Sequence, residues 1–207
     1  MKKLLGIVVL GLLLSGSAYS QCVSGNCVDG YGTQVVGIGH KYIGEWKDGK
    51  RHGQGTSIHV NENGEITDKF VGSFKNDRLD GKGIYTLLIG SGAVIKYDGE
   101  YKEGFQHGKG FAIYSNGSTY EGEFVRGRKH GYGTWTWLNV GKYEGEFKNG
   151  KRDGEGTYIY EEGHKTAEGI YLGEWKDGKR HGQGKYTMKN GVVQEGIWKN
   201  NGFVKIK

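Results

Sequence analysis

Tyr42-Ile43-Gly44-Glu45-Trp46-Lys47-Asp48-Gly49-Lys50-Arg51-His52-Gly53-Gln54-Gly55 decides how this chain folds, because the same stretch returns almost unchanged from Tyr171 to Gly184. Four more copies begin at Phe70, Tyr97, Tyr120 and Tyr143, and a truncated one follows as Gln194-Glu195-Gly196-Ile197-Trp198. Successive starts lie 28, 27, 23, 23, 28 and 23 residues apart, so a unit of 23 carries insertions after its first, second and fifth copies. Upstream, Gly25-Asn26-Cys27-Val28-Asp29-Gly30-Tyr31-Gly32-Thr33 reads as the second half of a unit. A fixed period of this length marks a repeat architecture. The chain therefore parses as residues 21–41, a half unit, then six full units over 42–207, ending in a half unit from 194.

Each unit has a physical reading. Alternation puts Tyr42, Gly44 and Trp46 on one face of a strand and Ile43 and Glu45 on the other. Lys47 to His52 is a polar turn in which Gly49 supplies positive φ. Gly53-Gln54-Gly55-Thr56 then starts a second strand whose glycines are expected opposite the aromatics. Asn116-Gly117 and Asn190-Gly191 are hairpin turn signals. The composition agrees. With 41 glycines, no proline and 13% aromatic residues, the chain has neither the period of collagen nor the poverty in aromatics of a disordered segment. Long helices are disfavoured by glycine at about 1 kcal/mol each. The predicted fold is all-β, an elongated single-layer meander of antiparallel hairpins, each stabilised by stacking on its neighbours.

Residues 1–20 read as a signal peptide: Met1-Lys2-Lys3, the apolar run Leu4 to Leu14, and the small-x-small site Ala18-Tyr19-Ser20, with cleavage before Gln21. The run is too short to span a bilayer. The predicted location is outside the cytoplasm: periplasmic, envelope-associated or secreted. Gln21 and Tyr19 depart from the pattern that would lipidate Cys22. Removal of the leader leaves 27 basic against 23 acidic residues, a net charge of +4. Cys22 and Cys27 are then the only thiols, and an oxidising compartment favours a disulfide between them.

The pattern Tyr-x-Gly-Glu-Trp/Phe-x-x-Gly-x-x-x-Gly-x-Gly resembles the MORN repeat (membrane occupation and recognition nexus), over about 25–207 and in six copies. The resemblance implies an all-β hairpin array used as a scaffold or a lipid-proximal module, and with the leader the chain reads as an exported member of bacterial type. In some members the array is appended to enzymes, lipid kinases and a protein methyltransferase among them, and no segment here is left over for such a domain. The repeat residues Tyr42, Gly44, Glu45, Trp46, Tyr120, Glu123, Phe124, Tyr143, Glu146, Phe147, Tyr171, Glu174 and Trp175 are read as structural, the glutamates as acceptors for turn N–H groups. The second unit departs from the pattern: Ser73 stands in the glutamate slot and Asp77 replaces the turn glycine, so a local distortion is expected there.

The residues give no catalytic set. His52, His107, His130 and His181 hold one slot whose copies in successive hairpins lie about 10 Å apart, too far to share an ion, and Asp80 and Asp153 fill the slot elsewhere, as a turn residue bonding to backbone would. No metal and no cofactor is expected. Gly44 to Lys50 fits the spacing of a phosphate-binding loop, but Arg51 stands where Ser or Thr is needed and no helix follows. No distinct Ser, His and Asp set stands out, and the chain reads as a non-enzyme without a small-molecule substrate. Lys50-Arg51, Arg128-Lys129, Lys151-Arg152 and Lys179-Arg180 occupy equivalent places. They are predicted to form a ladder along one edge, which an anionic phospholipid or envelope glycolipid could meet. The other readings are a solvated edge and a protein-interaction scaffold; nucleic acid is disfavoured by the modest charge. The aromatic face, expected to stay partly exposed, and the longer hairpins at Asn61–Lys69, Leu88–Lys96 and Glu161–Ile170 are further candidate contacts for a protein partner.

Overall fold

Two residues of positive φ close each repeat hairpin, which sets the register of everything that follows. Asp48 and Gly49 have φ of 51° and 68°, and the same left-handed pair recurs at Asn149-Gly150 and Asp177-Gly178. Two consecutive residues in that region make the turn whose twist matches paired strands. The turn is thus shorter than the polar run suggests: Lys47 already pairs with Lys50, Trp46 with Arg51 and Glu45 with His52. Asn76 and Asp77 adopt the same geometry at 50° and 68° without a glycine. The distortion expected in the second unit is therefore absent from its turn, since Asn and Asp tolerate this region.

The computed structural model describes residues 20–37, 39–88, 94–161 and 169–204. They form one open sheet of 16 antiparallel strands in strict chain order. The half unit at the start is β1 (Ser20–Gly25) and β2 (Gly30–Val36). The six full units are β3 (His40–Lys47) and β4 (Lys50–Val60), β5 (Ile66–Lys75) and β6 (Arg78–Leu87), β7 (Val94–Lys102) and β8 (Phe105–Tyr114), β9 (Thr119–Val125) and β10 (Arg128–Trp137), β11 (Gly141–Lys148) and β12 (Lys151–Tyr160), and β13 (Gly169–Lys176) and β14 (Lys179–Met188). The closing half unit is β15 (Val193–Lys199) and β16 (Gly202–Val204). Each half unit is thus a complete though shortened hairpin. Ser20, counted with the leader on sequence, is the first residue of β1. The leader itself, the Ile89-Gly90-Ser91-Gly92 tip and most of the Glu161–Ile170 insertion lie outside the described residues.

The glycines sit differently from the sequence expectation. Gly44 pairs with Gly32 on one side and Gly55 on the other, Gly55 with Gly72, and the row continues strand by strand to Gly184 and Gly196. Glycine faces glycine, and the tyrosine two residues earlier folds its ring over the pair. A Cβ on Gly55 would stand 2.3 Å from the Tyr42 hydroxyl oxygen. The row is the slot that receives the rings.

These rings are the core. Tyr42, Tyr97, Tyr120, Tyr143 and Tyr171 are at most 1% exposed, although the sheet has no second layer. They bury one another. Tyr42 meets Trp46 of its own strand edge-to-face at 5.1 Å and Phe74 of the next unit at 5.0 Å. The zigzag continues through Tyr120, Phe124 and Phe147 to Tyr171, Trp175 and Trp198. Edge-to-face pairs contribute about 0.5–1.5 kcal/mol each beyond area burial. The partial exposure expected for this face is therefore wrong for its main row.

Candidate functional site

Within each unit the glutamate carboxylate closes a bulge. Gly44 pairs with Gly55 while Glu45 pairs with His52, which leaves Gly53 and Gln54 without partners in β3. The Glu45 carboxylate accepts from the Gln54 N–H at 2.8 Å, on the face opposite the rings. Glu146 accepts from Glu155 N–H at 3.0 Å, Glu174 from Gln183 N–H at 2.7 Å, and Glu123 from Tyr132 N–H at 3.4 Å. The donors lie in the returning strand rather than in the turn itself. On the ring face, Tyr42, Tyr120, Tyr143 and Tyr171 each donate a hydroxyl hydrogen bond to the carbonyl of the same glutamate, at 3.0–3.1 Å. Burial pushes the Tyr42 and Tyr171 hydroxyls up to about 12, so they stay protonated donors. The repeat residues therefore spend their polar groups on each other.

The eight turn cations do not form one ladder. Arg51 pairs with Trp46, and Lys129 with Phe124, so they project over the ring face. Arg152 and Arg180 do the same, 4.0 Å from the ring centroid of Trp175 and 4.4 Å from that of Trp198. The three arginines also donate to the next hairpin turn: Arg51 to the Asp77 carbonyl at 2.8 Å, Arg152 to Gly178 at 2.6 Å and Arg180 to Asn201 at 3.1 Å. They join adjacent units and cannot serve a flat anionic surface at the same time.

Lys50, Arg128, Lys151 and Lys179 project from the opposite face and are exposed, with Lys151 paired to Asp177 at 2.9 Å. The tight turn adds cations that sequence reasoning passed over. Lys47 lies directly across from Lys50, Lys75 from Arg78, Lys148 from Lys151 and Lys176 from Lys179. Like charges directly opposite are destabilising, yet the pairing recurs in four units. The signal was present in the Lys-x-x-Lys spacing, and only the length of the turn converts it into facing pairs.

Aspartates in the histidine slot bond to backbone: Asp80 accepts from Glu103 N–H at 3.3 Å and Asp153 from Asp177 N–H at 3.2 Å. Among the described residues no group of His, Cys, Asp and Glu is placed to hold a metal. One cluster was missed on sequence. His40 contacts the Ser57 hydroxyl at 2.9 Å and stacks on His59 at 4.5 Å, and His59 meets Asp68 at 2.8 Å. Burial first, then His59 and Arg51, lower the His40 pKa. Ser57 is buried and His59 half exposed, so the cluster runs from the interior to the surface as a structural polar contact. Its trace in the sequence is Ser57 and His59 occupying the places of Trp135 and Trp137. Cys22 and Cys27 are joined by a disulfide, with a Cα–Cα distance of 6.0 Å, across the turn that leaves β1.

On the face opposite the rings, a groove of about 800 Å³ runs across β6 to β10. The glycine row forms its floor at Gly99, Gly110, Gly122 and Gly133, and Asp98, Glu100, Glu121, Glu123, Lys82, Lys109, Phe111 and Tyr132 form its sides. Tyr132 is 55% exposed there.

The repeating hairpin, its glycine row and its carboxylate bulge coincide with six matches to the MORN repeat, at residues 42–63, 70–91, 97–119, 120–139, 143–165 and 171–193. The chain belongs to the MORN-repeat family. The matches begin at the six residues that open the units in the sequence. No curated protein matches the chain. The matched units supply the whole buried core except Trp198 of the closing hairpin, and no catalytic domain is found beside them among the described residues.

Proposed function

We propose that this MORN-repeat chain is a non-enzymatic scaffold of the cell envelope that holds a protein partner on the face opposite its rings. The observation that supports this is the contrast between the faces. The ring face is sealed by its own aromatics, whereas the opposite face carries a long groove with exposed Phe111 and Tyr132 among carboxylates. Exposed aromatics at the centre of a polar rim are the composition of binding hot spots. The test is a photo-crosslinking amino acid at position 111 or 132, compared with one at position 172 in the same sheet but outside the groove. Crosslinks to one envelope protein from 111 and 132, lost on Asp98→Ala with Glu121→Ala, support the reading. Equal crosslinking from 172 would overturn it.

The facing lysine pairs at the turns favour a second reading, adhesion to an anionic lipid surface. A row of exposed cations attracts such a surface at low salt and is screened over about 8 Å at physiological ionic strength. Sedimentation with anionic vesicles, lost on Lys47, Lys50, Lys176 and Lys179→Ala and unaffected by neutral vesicles, supports it. The caged Arg51 and Arg180 are unsuitable for that test because their removal loosens the fold. Absent or salt-insensitive binding would rule out the electrostatic mode.

A further inference from the structure

Lys129 breaks the pattern set by Arg51, Arg152 and Arg180. It opens β10 opposite Phe124 and lies over the ring face, with its Nζ 3.3 Å from the ring centroid of Trp135, 5.1 Å from Tyr114 and 5.6 Å from Tyr120. The arginines in this slot reach a carbonyl of the next turn. No acceptor meets the Lys129 amine among the described residues, and no carboxylate pairs with it. The Trp135 indole N–H is also buried without a partner. Two nitrogen donors in one group of rings, the Lys129 amine and the Trp135 indole, thus meet no acceptor among the described residues. The fold does not need this arrangement, since Ala112 and Ser57 occupy the Trp135 position in other units.

We propose that the Lys129 amine is a modification site that takes an acyl group from an activated acyl donor such as a thioester. The rings desolvate the amine and leave it without a counter-ion, the setting in which a lysine becomes a nucleophile. Burial alone holds it at about 8, well below its ordinary 10.5. The titratable groups facing it are Tyr114 from β8 and Tyr120 from β9, both pushed up by burial and therefore neutral. Trp135 of β10 does not titrate. No carboxylate faces the amine among the described residues, so no counter-ion ties up its lone pair, and acyl transfer needs nothing beyond the amine and the activated donor. The nitrogen lone pair adds to the thioester carbonyl, the C–S bond breaks, the thiolate leaves with the electron pair, and the amine proton passes to water. The amide formed carries no charge to bury, and it brings a carbonyl acceptor to rings that hold the unpartnered indole N–H.

The test incubates the full chain with the acetyl thioester of N-acetylcysteamine at pH 7.5 and reads each lysine by peptide mass spectrometry. Lys129 is expected to acetylate at least about tenfold faster than exposed Lys50 or Lys109, with a rate that levels near pH 8 while theirs still rises. Trp135→Ala, or Tyr114→Leu if the first variant does not fold, should bring Lys129 down to the rate of Lys50. A wild-type chain in which Lys129 reacts no faster than Lys50 would overturn the proposal. So would an unchanged Lys129 rate in a folded cage variant.

Discussion

A side chain as small as a methyl group has no room on the glycine row. At Gly55 the new Cβ would meet the Tyr42 ring at 2.3–2.5 Å, and the ring cannot move because Trp46 and Phe74 hold it on both sides. Gly55→Ala should cost about 3 kcal/mol, within the range for forced overpacking, read as a drop in denaturation midpoint. At Gly49 the added Cβ meets nothing, and Gly49→Ala should cost only the strain of positive φ, about 1 kcal/mol. Equal losses at the two sites would contradict the ring-over-glycine packing. Lys129→Arg should stabilise by about 1 kcal/mol, the usual contribution of one hydrogen bond, because a guanidinium at this slot reaches the next turn in three other units. His40 supplies a pH signal. Its folded pKa is lowered by burial, His59 and Arg51 below the ordinary 6.5, so the unfolded chain takes up the proton first. Stability should be full above pH 6.5 and fall as the pH drops through and below it. His40→Gln should flatten that part of the profile in thermal melts; an unchanged slope would assign it elsewhere.

At the scale of the hairpin, the carboxylate bulge and the two-residue turn work separately. The second unit shows this, since it keeps the turn with Asn76 and Asp77 and lacks the glutamate. Ser73 instead accepts from the Gln54 side chain at 2.9 Å. Ser73→Glu should rebuild the missing contact to the Lys82 N–H and stabilise by about 1 kcal/mol, measured by chemical denaturation. No gain would mean that the Gln54 contact already replaces the clasp. The hairpins were legible because turn and strand residues recur at fixed offsets. The split of the basic pairs between faces was not. The polar run from Lys47 to His52 looks like one loop, and only a two-residue turn puts Lys50 and Arg51 inside a strand, where neighbours point to opposite sides.

Over the whole molecule, each unit touches only its neighbours, so stability should approximate a sum of units and interfaces. The Cys22–Cys27 disulfide closes a loop with a sequence separation of 5. Its removal by Cys22→Ser and Cys27→Ser should cost about 2 kcal/mol by loop entropy, and confine the loss to β1 and β2. Hydrogen exchange would show fast amides in residues 20–36 and unchanged protection from β5 onward; global loss of protection would contradict the one-dimensional picture. By itself the sequence determined the all-β class, the number of units and where each begins, because a 23-residue unit repeated with the same glycines and aromatics admits one local structure. Tertiary structure alone decided that the single sheet buries its main row of rings, since that depends on each tyrosine touching the aromatic of the next unit 27 or 32 residues away. It also decided which cations are free. A lysine and an arginine adjacent in the chain carry the same charge, and the face on which each is placed determines whether it meets rings or water.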